Sequence, residues 1–198
     1  FSKDPHVIRF SDRYLMYYSI PSNKDKSNPV QGWGIGIAES KDLLFWKKIG
    51  EVTPAADYES KGLCAPCARV IDGRVHLFYQ TYGNGRNDAI CHAYSDDGIH
   101  FIRDATNPVF HPGGSWNCGR AIDPEVIKFK NQYYLNNATR DPDYKIQMQG
   151  VAIAHGNTDF KRDVWDNLST DKPILKPDLP WEKDCIEGAS VIEKRGKL

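Results

Sequence analysis

Asp4, Asp123 and Glu187 occupy one point of a pattern that recurs along the chain. The segments are Asp4-Pro5-His6-Val7-Ile8-Arg9-Phe10, Asp123-Pro124-Glu125-Val126-Ile127-Lys128-Phe129 and Glu187-Gly188-Ala189-Ser190-Val191-Ile192-Glu193. A fourth copy, Ala65-Pro66-Cys67-Ala68-Arg69-Val70-Ile71, has Ala where the others have an acid. Carboxyl groups gathered at one level can do acid–base chemistry, one protonating a leaving oxygen while another activates water or attacks directly. Acids that merely cap strand ends or pair with arginine would leave unexplained why three of four copies carry one.

Something must bring residues so distant in sequence to one level. The copies begin 61, 58 and 64 residues apart in a chain with no long helical stripe, the signature of a propeller or similar repeat fold. Each unit reads as four short strands. In the first these are Asp4 to Phe10, Arg13 to Ile20, Trp33 to Ser40 and Phe45 to Val52, with polar Pro21 to Gln31 as a loop. The second gives ARVI, VHLFYQT, AICHAYS and IHFIRD, and the third VIKF, YYLNNAT, GVAIAHG and FKRDVWD. Asp72-Gly73 and Asp97-Gly98 supply hairpin-turn chemistry with positive φ. The expectation is an all-β propeller of four-stranded antiparallel blades, one incomplete domain over 1–198, with blades at about 1–60, 61–118, 119–182 and a truncated 183–198. An open stack of meanders is the alternative.

Composition excludes some classes. Lys+Arg and Asp+Glu number 26 each, so net charge makes no case for nucleic acid. No apolar run approaches a membrane span. Of the five cysteines, Cys64 and Cys67 form a lone C-x-x-C, read as small buried residues near the axis, with a local disulfide or a metal as alternatives.

Strand alternation places the start of every inner strand, the loops between strands two and three, and the loops between units on one face. Asp4, Asp123 and Glu187 are thereby expected at the mouth of a central cavity. Trp33, Trp116 and Trp181 lie in or beside loops of that face and could stack on a sugar, although packing between blades serves them equally. Arg86, Arg120 and Arg140 lie there too, able to donate to hydroxyls or a carboxylate but individually more typical of solvated charges. His6 shares its side of the strand with Asp4.

The order Asp-Pro, Ala-Pro, Asp-Pro, Glu-Gly resembles glycoside hydrolase family 43 and its relatives among the five-bladed propeller glycosidases, including the β-fructosidase and anhydrogalactosidase families. About three and a third of five blades would then be present. The resemblance implies an inverting glycosidase acting on oligo- or polysaccharides, with Asp4 as general base, Glu187 as general acid, and Asp123 orienting Glu187 and raising its pKa. It implies secretion or a periplasmic location and no required cofactor. Some members hold a central calcium through a His and waters, for which no ligand set is evident here. Retaining β-fructosidases of the clan carry Asp-Pro-Asn, Arg-Asp-Pro and Glu-Cys. This chain has Asp4-Pro5-His6 and Glu187-Gly188, and its literal Arg140-Asp141-Pro142 lies outside the repeat register. A non-catalytic sugar-binding propeller is the competing class, though it would need no intact acids. A phosphorylase would need a basic cluster at the cavity mouth, and none is evident in the sequence. An open ring would expose blade edges and favour self-association.

Overall fold

The computed structural model describes residues 2–21 and 32–198, so all but Pro21 of the expected loop Pro21 to Gln31 lies outside the described residues. Among the described residues, twelve strands form three four-stranded antiparallel sheets, each in chain order from inside to outside. The first holds β1 (Lys3–Phe10), β2 (Arg13–Ile20), β3 (Gly34–Ser40) and β4 (Lys47–Val52). The second holds β5 (Leu63–Ile71), β6 (Arg74–Thr81), β7 (Ile90–Ser95) and β8 (Ile102–Arg103). The third holds β9 (Ile122–Phe129), β10 (Gln132–Arg140), β11 (Gln147–His155) and β12 (Asp166–Asn167). The first strands adjoin one another, β1 against β5 and β5 against β9, as the blades of a propeller do around its axis.

Apolar side chains fill the gaps between blades. Leu15, Tyr17, Ile35 and Ile37 of the first sheet pack with Leu63, Leu77 and Tyr79 of the second. The Tyr17 hydroxyl crosses to donate to the Gly98 carbonyl at 2.9 Å, satisfying the polar tip of a fully buried ring. Phe78 and Ile90 meet Tyr133, Leu135, Phe160 and Trp165 in the second gap.

The turns follow sequence chemistry. Asp72 and Gly73 both adopt positive φ, the geometry of a two-residue hairpin. Between β3 and β4 the Ser40 hydroxyl accepts the Leu43 N–H, and Asp42 Oδ1 accepts those of Leu44 and Phe45. Ser95 and Asp97 repeat that arrangement between β7 and β8.

Two expectations are corrected. The outer strand expected over 160–166 is only β12. Phe160 turns at φ 63 into the aromatic cluster, fully buried, and a 3-10 turn follows at Arg162–Val164. The fourth copy of the repeat, Glu187 to Glu193, forms no inner strand. The isolated bridge Lys194–Lys197 lies just beyond it.

Candidate active site

Each inner strand is broken at the repeat position. The register shifts between Lys3 and His6, between Cys64 and Cys67, and opposite Asn136–Ala138, where Ile122 to Glu125 pair. Asp4, Ala65 and Asp123 take φ of 54°, 49° and 50° at these bulges, and each is followed by proline. A strand tolerates proline at a bulge or edge, and a left-handed residue there re-aims its side chain. Asp accepts this conformation better than most residues, whereas an alanine in it is strained.

The freed N–H groups are caught by the preceding blade. Ser19 Oγ of β2 accepts the Ala65 N–H at 2.8 Å, and Gln80 Oε1 of β6 accepts that of Asp123 at 2.9 Å. Ser19 and Gln80 are buried polar residues at equivalent places near the ends of β2 and β6, each following buried apolar or aromatic side chains. That polar interruption was the signal in the sequence, and it went unread.

Asp4 and Asp123 line a cleft of about 270 Å³, just under the usual range of small-ligand sites, and Glu187 stands outside its lining, next to the lining residue Gly188. Asp4, Pro5, Pro66, Asp123, Pro124 and Gly188 line it. Ser19 donates to Asp4 Oδ2 at 2.8 Å and the Lys3 ammonium lies 3.2 Å from the same oxygen. Glu187 is exposed, and its Oε2 receives the Gln147 side-chain amide. The Asp123 carboxyl is pushed up to about 6 by burial first, then by the negative charges of Glu187 and Asp4, with Lys3 and Arg120 opposing. The three acids therefore share one electrostatic field.

The other sequence candidates divide. Trp33 is half-buried, 5.6 Å from the Tyr82 ring and 5.6 Å from the Lys3 ammonium, which places it beside Asp4. Trp116 donates its indole N–H to the Ser169 carbonyl at 2.6 Å and its ring lies against Gly150, so it packs within the third blade. Trp181 is 76% exposed. Arg120 and Arg140 both reach Gln147 Oε1, at 3.4 and 3.0 Å, one residue removed from Glu187. The carboxylate of Asp141 accepts the N–H groups of Lys145 and Ile146, closing its own loop.

Below the acids lies a second layer, two residues further along each motif: His6, Cys67 and Glu125, whose ligand atoms fall within 4.8 Å of one another. Calcium does not fit, since it takes six to eight oxygen ligands and only one carboxylate is offered. His6 Nδ1 accepts the Ala68 N–H at 3.3 Å, so a neutral ring carries its proton on Nε2, the atom facing the thiol and carboxylate. Cys67 Sγ lies 3.4 Å from Glu125 Oε2, and Arg69 pairs with Glu125 Oε1 at 2.6 Å. These contacts tie three blades together at the axis. Burial foremost pushes the Cys67 thiol up to about 12. Cys64 and Cys67 are buried and unbridged, as small axial residues.

A sequence model of the glycosyl hydrolases family 32 N-terminal domain matches residues 2–167. The chain belongs to this family. Solved structures carry the same fold across related families. A family 117 glycoside hydrolase of the marine bacterium Zobellia galactanivorans is 21% identical with a TM-score of 0.66, covering 84% of this chain and 55% of that one. The Bombyx mori family 32 β-fructofuranosidase BmSUC1 is 19% identical with a TM-score of 0.67, covering 85% and 35%. A thermostable family 43 glycoside hydrolase is 25% identical with a TM-score of 0.63, covering 86% and 55%. The chain thus spans between about a third and just over half of these proteins. The propeller glycosidase fold is as expected, and the matching family within it is 32, where the dipeptides resembled 43.

Proposed function

We propose that this chain is the acid-bearing part of a glycosidase cleaving glycosidic bonds of oligo- or polysaccharides. The observation that carries this is the half-buried Asp123 carboxyl, raised to about 6 within the field of Asp4 and Glu187. Such clustering is unfavourable for folding and is useful where protons must move. Asp4, fixed by Ser19 and Lys3, serves as the base that takes a proton from water. Glu187, aimed by Gln147, protonates the leaving oxygen, and the negative charge of Glu187 helps to raise the neighbouring Asp123 carboxyl. Water attack opposite the leaving group then inverts the anomeric centre, which requires the two main carboxyls about 6.5–9.5 Å apart.

The family 32 match favours a second reading, a retaining β-fructosidase-like reaction with Asp4 as nucleophile. Both readings use the same residues. NMR of the full-length protein acting on a panel of fructosides, arabinofuranosides, xylosides and galactosides separates them by the first-formed anomer. Glu187→Gln is expected to lower turnover at least about 100-fold while sugar binding persists. Unchanged turnover in that variant would remove Glu187 as the acid. Binding without turnover in the parent would turn the reading to a sugar-binding propeller.

A further inference from the structure

Three arginines, two from loops and one from the end of β10, converge on one aromatic ring. The guanidinium carbons of Arg140, Arg86 and Arg120 lie 4.7, 5.2 and 5.8 Å from the centroid of Tyr144. Tyr144 holds positive φ in the loop between β10 and β11. Arg86 sits in the 3-10 turn Gly85–Asn87 and anchors to the Pro142 carbonyl at 2.8 Å, and Arg140 anchors to the Tyr144 carbonyl at 3.1 Å. The sequence places all three on the active face, but they are spread over 54 positions and their convergence appears only on folding.

Countercharge is incomplete. Asp88 ion-pairs with Arg120 Nε at 3.5 Å, and Arg120 also lies in the field of Asp123. Asp141 feels Arg86, though its carboxylate is engaged by backbone N–H groups. Lys145 is exposed and pairs with Asp143 at 3.7 Å. Beyond that ion pair, the buried Arg120 Nε makes no hydrogen bond among the described residues. Nη2 of Arg120 and Nη2 of Arg140 likewise hold none among them. Guanidinium groups held this way by an aromatic face and backbone carbonyls are pre-set for an oxyanion, which they bind by paired N–H donors.

We propose that Arg86, Arg120 and Arg140 form an oxyanion subsite next to Glu187, taking a carboxylate or sulfate group of the sugar, or free phosphate. The inference rests on the glycosidase reading for its placement: the subsite would lie on the leaving-group side, because Gln147 joins Arg120 and Arg140 to the proposed acid.

The test is calorimetric binding to full-length protein carrying Glu187→Gln, so that turnover plays no part. Glucuronate, glucose 6-sulfate, glucose and inorganic phosphate serve as probes. At least one acidic probe is expected to bind about 10-fold or more tightly than glucose, with the advantage shrinking as salt rises. An acidic sugar outbinding phosphate assigns the anion to the substrate; phosphate matching or exceeding it assigns a free anion. Arg86→Gln, at an exposed residue, is expected to reduce the advantage several-fold, and Arg140→Lys to do so by losing the fork geometry. No advantage for any anion, or one untouched by both variants, would overturn the subsite. Absent hydrolysis in the unmutated protein would instead count against the glycosidase reading alone.

Discussion

At the scale of single residues, Asp123 sets stability against chemistry. Its carboxyl stands near 3.8 in an unfolded chain and near 6 when folded. Between these values the folded state binds more protons than the unfolded, so this group's contribution makes stability fall as pH rises from about 4 to 6, then level off. His76 works oppositely. Burial first, then His92, depresses it to about 4, so its contribution is lost as pH falls from about 6.5 toward 4. A comparison of parent with Asp123→Asn cancels the histidine. Asn also accepts the left-handed backbone, and it stays neutral throughout. After allowing for partial solvent screening, the variant is expected to be about 1–2 kcal/mol more stable at pH 7.5 and equal at pH 4, by urea denaturation. Hydrolysis should fall about 100-fold in the same variant. A variant less stable than the parent at pH 7.5 would show that the ionised carboxylate is well solvated, removing the basis for its raised pKa.

At the scale of elements, the site depends on how each blade is pinned to the next. Gln80 of β6 accepts the Asp123 N–H across a blade boundary, so Gln80→Leu leaves a bulge donor unpaired. A loss of about 1–3 kcal/mol is expected, together with weaker activity that Gln80→Glu partly restores by offering the same acceptor. Phe160 does the pinning for the second gap, ringed by Phe78, His92, Tyr133 and Trp165 at 4.9 to 6.0 Å. Phe160→Ala should cost about 3–5 kcal/mol in chemical denaturation. A cost below about 1 kcal/mol would mean that the blades hold without it. These two residues also mark what the sequence conceals. The inner strands and their acids were legible because the repeat fixes register and the hairpin turns announce themselves. Phe160 was read as the start of an outer strand because an aromatic after polar residues fits either role. Only the packed neighbour blade decides between them.

At the scale of the molecule, the apolar surface is unevenly distributed. Leu168, Ile174, Leu175, Leu179, Trp181 and Ile192 are all exposed, and all follow β12. The three formed sheets expose large apolar residues more sparsely, with a second concentration at Leu43, Leu44 and Phe45 in the turn between β3 and β4. Repeat order explains why the first three blades could be read from residue spacing alone, since each carries its own ladder. The stretch after 167 has the spacing of a fourth copy but takes its hydrogen bonds from β11, through Gln147 and Gln149, and not from a sheet of its own. Surfaces of this kind normally find a partner. A polypeptide of residues 1–198 by itself is therefore expected to self-associate. Sedimentation velocity should show an average mass that climbs with concentration, and Trp181→Ser combined with Ile192→Ser should return it toward a monomer. If the 1–198 polypeptide stays monomeric at high concentration, the segment after 167 must fold back on its own blade and cover this surface. The Glu187 position, which depends on that segment, would then need revision with it.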